Sequence, residues 1–241
     1  MKIRTFAAAL AAAIALVPMS SQAEEQRTLI FEDDFERAES QEAKDEVGNG
    51  WLTNSKSRAK GNKQADLKDG ALWIATHESA DHAASVNHPL EFRDGDVELR
   101  FMLTDAKDRL GLNFADMQHK EVHAGHLFTA RVGAKAVELV DLKTGGMVLE
   151  VRQRRVANQL TAEDKERIKA TTKRIPVELK PGQWYSLTVS VRGDTLSISI
   201  DGKEVGSFTS EGFAHPTKRM LRLDVPQKAV IDDLKIYAVG S

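Results

Sequence analysis

Seven histidines are the residues of this chain best placed to do acid–base chemistry at neutral pH, because an imidazole titrates near pH 6.5. His119, His123 and His126 lie close together, with Asp116 and Glu121 beside them. On a helix His119 and His123 would be i, i+4 neighbours. Glu121 stands at the third place and not the second, so this is not the H-E-x-x-H zinc signature. In a strand His123 and His126 would face opposite ways, so a three-histidine metal site would need a bent loop. A general base needs only one carboxylate partner. His82 follows Asp81 in a second cluster, flanked by His77, Glu78 and His88. The expectation is a proton-transfer site made of His126, His123, His82 and Asp81, provided the fold brings both loops to one cleft. The alternative is that these are loop histidines with packing roles.

Two acidic clusters sit near the ends of the chain: Asp33 and Asp34 in Phe31–Glu36, and Asp232 and Asp233 in Ile231–Ile236. If the terminal strands pair, the four carboxylates repel unless water or a cation neutralises them. A structural Ca²⁺ held by oxygen ligands is one expectation, and carboxylates facing water are the other. Trp73 and Trp184 open strands and are expected in the core. Trp51 follows Gly48-Asn49-Gly50 and is the better candidate for an exposed ring that stacks on a ligand, with packing in the core as the alternative. The sequence holds no G-x-S-x-G elbow, Walker loop or G-x-G-x-x-G turn.

The elements that must position these residues show a period of two. Val97, Leu99, Phe101 and Leu103 alternate with more polar residues, as do Tyr185, Leu187, Val189 and Val191, and then Leu196, Ile198 and Ile200. Each segment therefore has one apolar face and one polar face. Gly193-Asp194 and Asp201-Gly202 carry hairpin-turn chemistry, which makes 184–208 a three-strand meander. Further strands are expected at 28–35, 71–76, 83–88, 127–132, 136–141, 146–150, 219–225 and 229–238. No βα alternation occurs, so the fold class is an all-β sandwich or barrel in one domain over 24–241. The charged stretch 152–175 departs from this pattern. Thr161 with Asp164 resembles a capping box, and one short inserted helix is expected near 161–173. It reads as a basic arm for an anionic partner or as a solvated surface helix.

Residues 1–23 have the pattern of a signal peptide: Lys2 and Arg4, an apolar run from Phe6 to Val17, then Ser21-Gln22-Ala23. The run is short for a membrane span, and no later stretch is long and apolar enough for one. A periplasmic or secreted protein is expected. A net charge of −2 argues against nucleic acid as a partner. The absence of cysteine excludes disulfides and thiolate chemistry.

Phe92-Arg93-Asp94-Gly95-Asp96-Val97-Glu98-Leu99-Arg100-Phe101 resembles a core strand of concanavalin A-like jelly rolls. Pro181-Gly182-Gln183-Trp184 and the meander through Ile200-Asp201-Gly202-Lys203 resemble the late strands of that superfamily. The wider resemblance is to exported bacterial jelly rolls of the 3-keto-disaccharide hydrolase family, and it covers 29–238. The resemblance implies a concanavalin A-like β-sandwich and a carbohydrate partner. It also implies hydrolase or lyase chemistry on a 3-keto-glycoside or ordinary glycoside. The E-x-D-x-x-E arrangement of retaining jelly-roll glucanases is absent. The competing implication is a non-catalytic glycan-binding or envelope adhesion module that uses Trp51 and a structural calcium.

Overall fold

A computed structural model of the chain describes residues 25–240. The expected signal peptide, 1–23, lies outside the described residues. In chain order the elements are β1 (Arg27–Asp33), β2 (Leu52–Thr53), α1 (Ser55–Arg58), β3 (Ala65–Lys68), β4 (Ala71–Ala75), β5 (Ala84–Phe92), β6 (Asp94–Met102), β7 (Arg109–Ala115), β8 (His126–Gly133) and β9 (Ala136–Asp141). There follow α2 (Leu149–Val156), α3 (Ala162–Ala170), β10 (Thr172–Pro176), β11 (Trp184–Arg192), β12 (Thr195–Ile200), β13 (Lys203–Thr209), β14 (Lys218–Val225) and β15 (Lys228–Val239). Among the described residues no helix is long and apolar enough to cross a membrane.

The strands form two antiparallel sheets packed as a jelly-roll sandwich. The first runs β13-β12-β11-β6-β15-β4-β3, with β1 also on β15. The second runs β10-β9-β8-β7-β14-β5-β2. Directly opposed residues of antiparallel strands share a face, so the registers separate core from surface. Val86, Leu223, Leu112 and Ala130 lie in one row across β5, β14, β7 and β8, and Leu221, Phe114 and Phe128 lie in the next. All seven are buried, packed with Val97, Leu99 and Phe101 of β6 and Leu187 and Val189 of β11. The turn at Asp201-Gly202 has positive φ at both residues (+50° and +73°), as the Asp-Gly pair leads one to expect.

The inserted segment carries two helices where one was expected. Thr161 and Asp164 cap α3 reciprocally, at 3.1 and 3.0 Å. Asp164 also takes Arg154 of α2 through two 2.6 Å bonds, which ties the two helices together. The strand expected at 146–150 does not form. Gly145 and Gly146 sit in a turn, and α2 begins at Leu149.

The tryptophans are inverted relative to expectation. Leu72 and Ile74 point inward, so Trp73 between them points outward, and Trp184 does the same before Tyr185. Trp51 is the core residue, at 7% exposure, and its face is closed to any ligand. Its Nε1 donates to Asp33 Oδ2 at 2.8 Å. Asp33 is a buried hub that also receives Arg37 Nη1 and Nη2 (2.6 and 2.9 Å), Phe35 N (2.9 Å) and Asn49 Nδ2 (3.0 Å). Burial alone would raise its pKa, but the Arg37 pair and the other donors overcome this and hold it below the carboxylate range.

The terminal strands do pair, with Asp33 opposite Leu234. Asp33, Asp34 and Asp233 line one pocket together with Arg37 and Lys235. Both oxygens of Asp33 are occupied by nitrogen donors. Asp232 and Asp233 lie where the β15 register shifts, and both meet Arg100, at 3.0 and 3.4 Å. Asp34 Oδ1 accepts from Glu36 N. Among the described residues, the acidic groups close enough to share an ion are instead Glu39, Glu42 and Asp66, and the Lys63 ammonium already sits among them.

Losing one partner of a buried pair is costly, and here it also strands a buried indole donor. Asp33→Ala should lower stability by about 3 kcal/mol at pH 7. The native pKa of Asp33 lies below the unfolded value. Its contribution is therefore full above pH ~4 and fades as pH falls. Denaturant melts of both proteins at pH 7 and pH 3 check this. A loss under about 1 kcal/mol at pH 7 would show that Asp33 is not a hub.

Candidate functional site

The outer face of the second sheet carries the site. The residues that alternate with the core rows point away from the first sheet. One row reads Asn87, Arg222, Asn113 and Thr129 across β5, β14, β7 and β8. The next reads Ser85, Asp224, Gly111 and Arg131. Eight polar or side-chain-free positions thus form one floor. Walls rise around it from Asn54 and Arg58 at α1 and from His82 and Ala83 on the loop before β5, with Arg109 and Pro226 beside them. His126 completes the lining. The enclosed volume is about 520 Å³, within the ~300–1,000 Å³ typical of small-molecule sites.

His82 and His126 therefore share this bowl although 44 residues separate them. His123 stands at its edge, with its ring 6.4 Å from that of His126. Asp81 reaches His82, Oδ1 to Nδ1 at 3.1 Å, and its other oxygen faces Arg58 at 3.6 Å. The remaining clustered histidines are elsewhere. His77 binds Ser79 at 2.9 Å, His88 stacks on Phe31, and His119 lies against His215.

The surroundings of His126 work against its acting as the base that the sequence suggests. Its Nδ1 lies between Asn113 Oδ1 (3.0 Å) and Arg222 Nη1 (3.1 Å). Burial first, then the charges of Arg222 and His123, push it down to about 3. These surroundings favour the neutral imidazole and weaken it as a base. Burial and then Arg152 and Arg58 likewise lower His123.

Sequence reasoning missed Arg222 and Asp224. Arg222 is 9% exposed, and its guanidinium donates to Ala124 O at 2.9 Å and to the sulfurs of Met117 and Met220. Among the described residues no carboxylate lies within salt-bridge distance of it. Burial lowers its pKa against the pull of Asp224. Asp224 accepts from Ser85 Oγ at 2.8 Å through Oδ1. Burial raises its pKa, outweighing that bond and the charges of Arg222 and Arg131. A carboxylate and an arginine on one face of a bowl offer a base and an anion stabiliser. The signal was present in Leu221-Arg222-Leu223-Asp224-Val225, where charge alternates with apolar residues in a strand that must be half-buried.

Similar structures share the sandwich. A laminarinase from Rhodothermus marinus is 11% identical, with a TM-score of 0.58 over 91% of this chain and 100% of that one. The family GH16 endo-beta-1,3(4)-glucanase SCLam gives 12% identity and 0.56, over 88% and 91%. The carbohydrate binding module CBM66 from Bacillus subtilis gives 13% and 0.51, over 78% and 96%. At such identities these likenesses concern the fold. No curated protein matches the chain. Residues 42–231, which span β2 to the first third of β15 and include every residue that lines the bowl, match one family model; the chain belongs to the 3-keto-alpha-glucoside-1,2-lyase-like domain family.

Proposed function

We propose that this protein cleaves a 3-keto-α-glycoside by elimination across C1 and C2 in the bowl of the second sheet. The observation that carries the reading is Asp224, the one carboxylate that lines the bowl, with Arg222 two residues away on the same face.

The chemistry sets the geometry. A ketone at C3 acidifies the hydrogen on C2. In an α-glucoside the C2–H bond and the C1–O bond are both axial and point to opposite faces of the ring. The base and the group that protonates the leaving oxygen must therefore lie on opposite sides of the sugar. Asp224 on the floor takes the C2 proton. The C2–H electron pair becomes the C1=C2 bond, passing through an enolate whose O3 charge faces Arg222. The C1–O bond breaks with its electrons on the glycosidic oxygen. That oxygen takes a proton from His82, which Asp81 orients at the rim. No net oxidation occurs, and the ring product keeps its C3 carbonyl. Neutral His126, itself bonded to Asn113, holds Arg222 in place.

The glycan-binding alternative relied on Trp51 as a stacking platform. Trp51 is buried, and no Trp, Tyr or Phe lines the bowl in its place.

Asp224→Asn should reduce turnover of a 3-keto-α-glucoside roughly 10²–10⁴-fold, followed as release of the aglycone. His82→Ala should lose less with a good leaving group, such as nitrophenol, than with an alkoxide, because only the latter needs an acid. Equal losses for both leaving groups would remove His82 from that role. Unaltered turnover in Asp224→Asn would overturn the mechanism.

The raised pKa of Asp224 has a second consequence. Where the native pKa exceeds the unfolded one, ionisation costs stability as pH rises through that interval. Asp224→Asn should therefore melt higher than the parent at pH 7, and the gain should vanish below pH ~4. The acidic limb of kcat/KM should correspondingly lie above the ordinary carboxylate value. A lower melting temperature at pH 7 would contradict the raised pKa.

A further inference from the structure

The bowl is more cationic than a neutral sugar requires. Arg58, Arg109, Arg131 and Arg222 all line it, against a single lining carboxylate, Asp224. Two of these arginines have acidic neighbours: Asp81 stands 3.6 Å from Arg58, and Glu138 stands 3.7 Å from Arg131. Among the described residues, Arg109 and Arg222 have no carboxylate within salt-bridge distance. The first helix of the insertion adds Arg152 and Arg155, whose charges reach His123 at the rim.

The positions divide these charges. Arg222 and Asn113 occupy the floor row on the His126 side of Asp224. Arg131 lies in the row of Asp224 itself, opposite Gly111. Arg109 lies beyond, two residues before Gly111 on β7. A sugar ring over Asp224 and the bare floor at Gly111 thus has Arg222 on one side and Arg109 with Arg131 on the other. The elimination uses Arg222; of the other two, Arg131 faces Glu138 and Arg109 has no acidic partner among the described residues. Guanidinium forks are suited to the paired oxygens of an oxyacid.

Resting on the elimination reading for which ring lies over Asp224, we propose that the physiological substrate is an anionic glycoside, whose carboxylate or phosphate is received by Arg109 and Arg131. The negative group sits on the side of the ring away from Arg222. The basic helix at the rim raises the local concentration of such anions.

Binding can be measured without turnover, on the full chain with sugars that carry no ketone. Titration calorimetry of methyl α-glucuronide, glucose 6-phosphate and methyl α-glucoside separates carboxylate, phosphate and neutral cases. At least one anion should bind roughly tenfold or more tighter than the neutral sugar, and added salt should erase the difference. Arg109→Gln and Arg131→Gln should abolish the preference while neutral-sugar binding persists. Arg109→Lys should keep part of it and guards against a folding defect. Equal affinities for all three sugars, no binding of any, or a preference unchanged in both glutamine variants would overturn the proposal. Turnover of neutral 3-keto-glucosides without anion selectivity would defeat this inference alone. Selective anion binding without turnover of any 3-keto-glycoside would defeat the elimination reading and leave the anion site standing.

Discussion

The register of β14 between β5 and β7 is the constraint on which the site depends. It sets Arg222 beside Asn87 and Asn113, and Asp224 beside Ser85 and Gly111. Because side chains alternate along a strand, the same register sends Leu221 and Leu223 into the core. A slip by one residue would bury the two charges and expose the two leucines. The hydrophobic effect on one face therefore fixes the chemistry on the other. The pairing cannot drift without cost to stability as well as to the site.

That coupling explains how a sandwich can hold groups that would otherwise destabilise it. Arg222 is almost wholly buried without an adjacent carboxylate, and Asp224 is buried enough to raise its pKa. Both are costs that the apolar rows beneath absorb. The same floor is widened by Gly111, which leaves space where its strand neighbours place side chains. Asp33 and Asp164, by contrast, are each paired with an arginine, which sets the bowl apart from these structural ion pairs.

Much of the sandwich was legible in the sequence because alternation is a local property. The meander of β11–β13 and the capping box at Thr161 follow from residue type and spacing. The strand expected at 146–150 failed because a short apolar run does not distinguish a strand from a helix. The tryptophans were misassigned by position in the chain, although alternation around Trp73 already pointed it outward. Only part of the site was readable. His82 and His126 were marked by residue type, but their meeting depends on loops that long-range pairing brings together. Asp224 and Arg222 carried no motif. Their role comes from desolvation, which appears only once the sheet has formed. Strand β7, which supplies Arg109, Gly111 and Asn113, was overlooked because its glycine weakens the strand pattern.

The central claim is that Asp224 removes a proton from the carbon next to a ring ketone. It is tested most directly by hydrogen exchange in D₂O, on a 3-keto sugar with hydrogen in place of the glycosidic oxygen. Such a sugar cannot eliminate, so proton transfer is seen by itself. The account predicts protein-catalysed deuterium incorporation at C2 and not at C4, lost in Asp224→Asn. Exchange no faster than in buffer under saturating protein, or exchange that persists in Asp224→Asn, would contradict it.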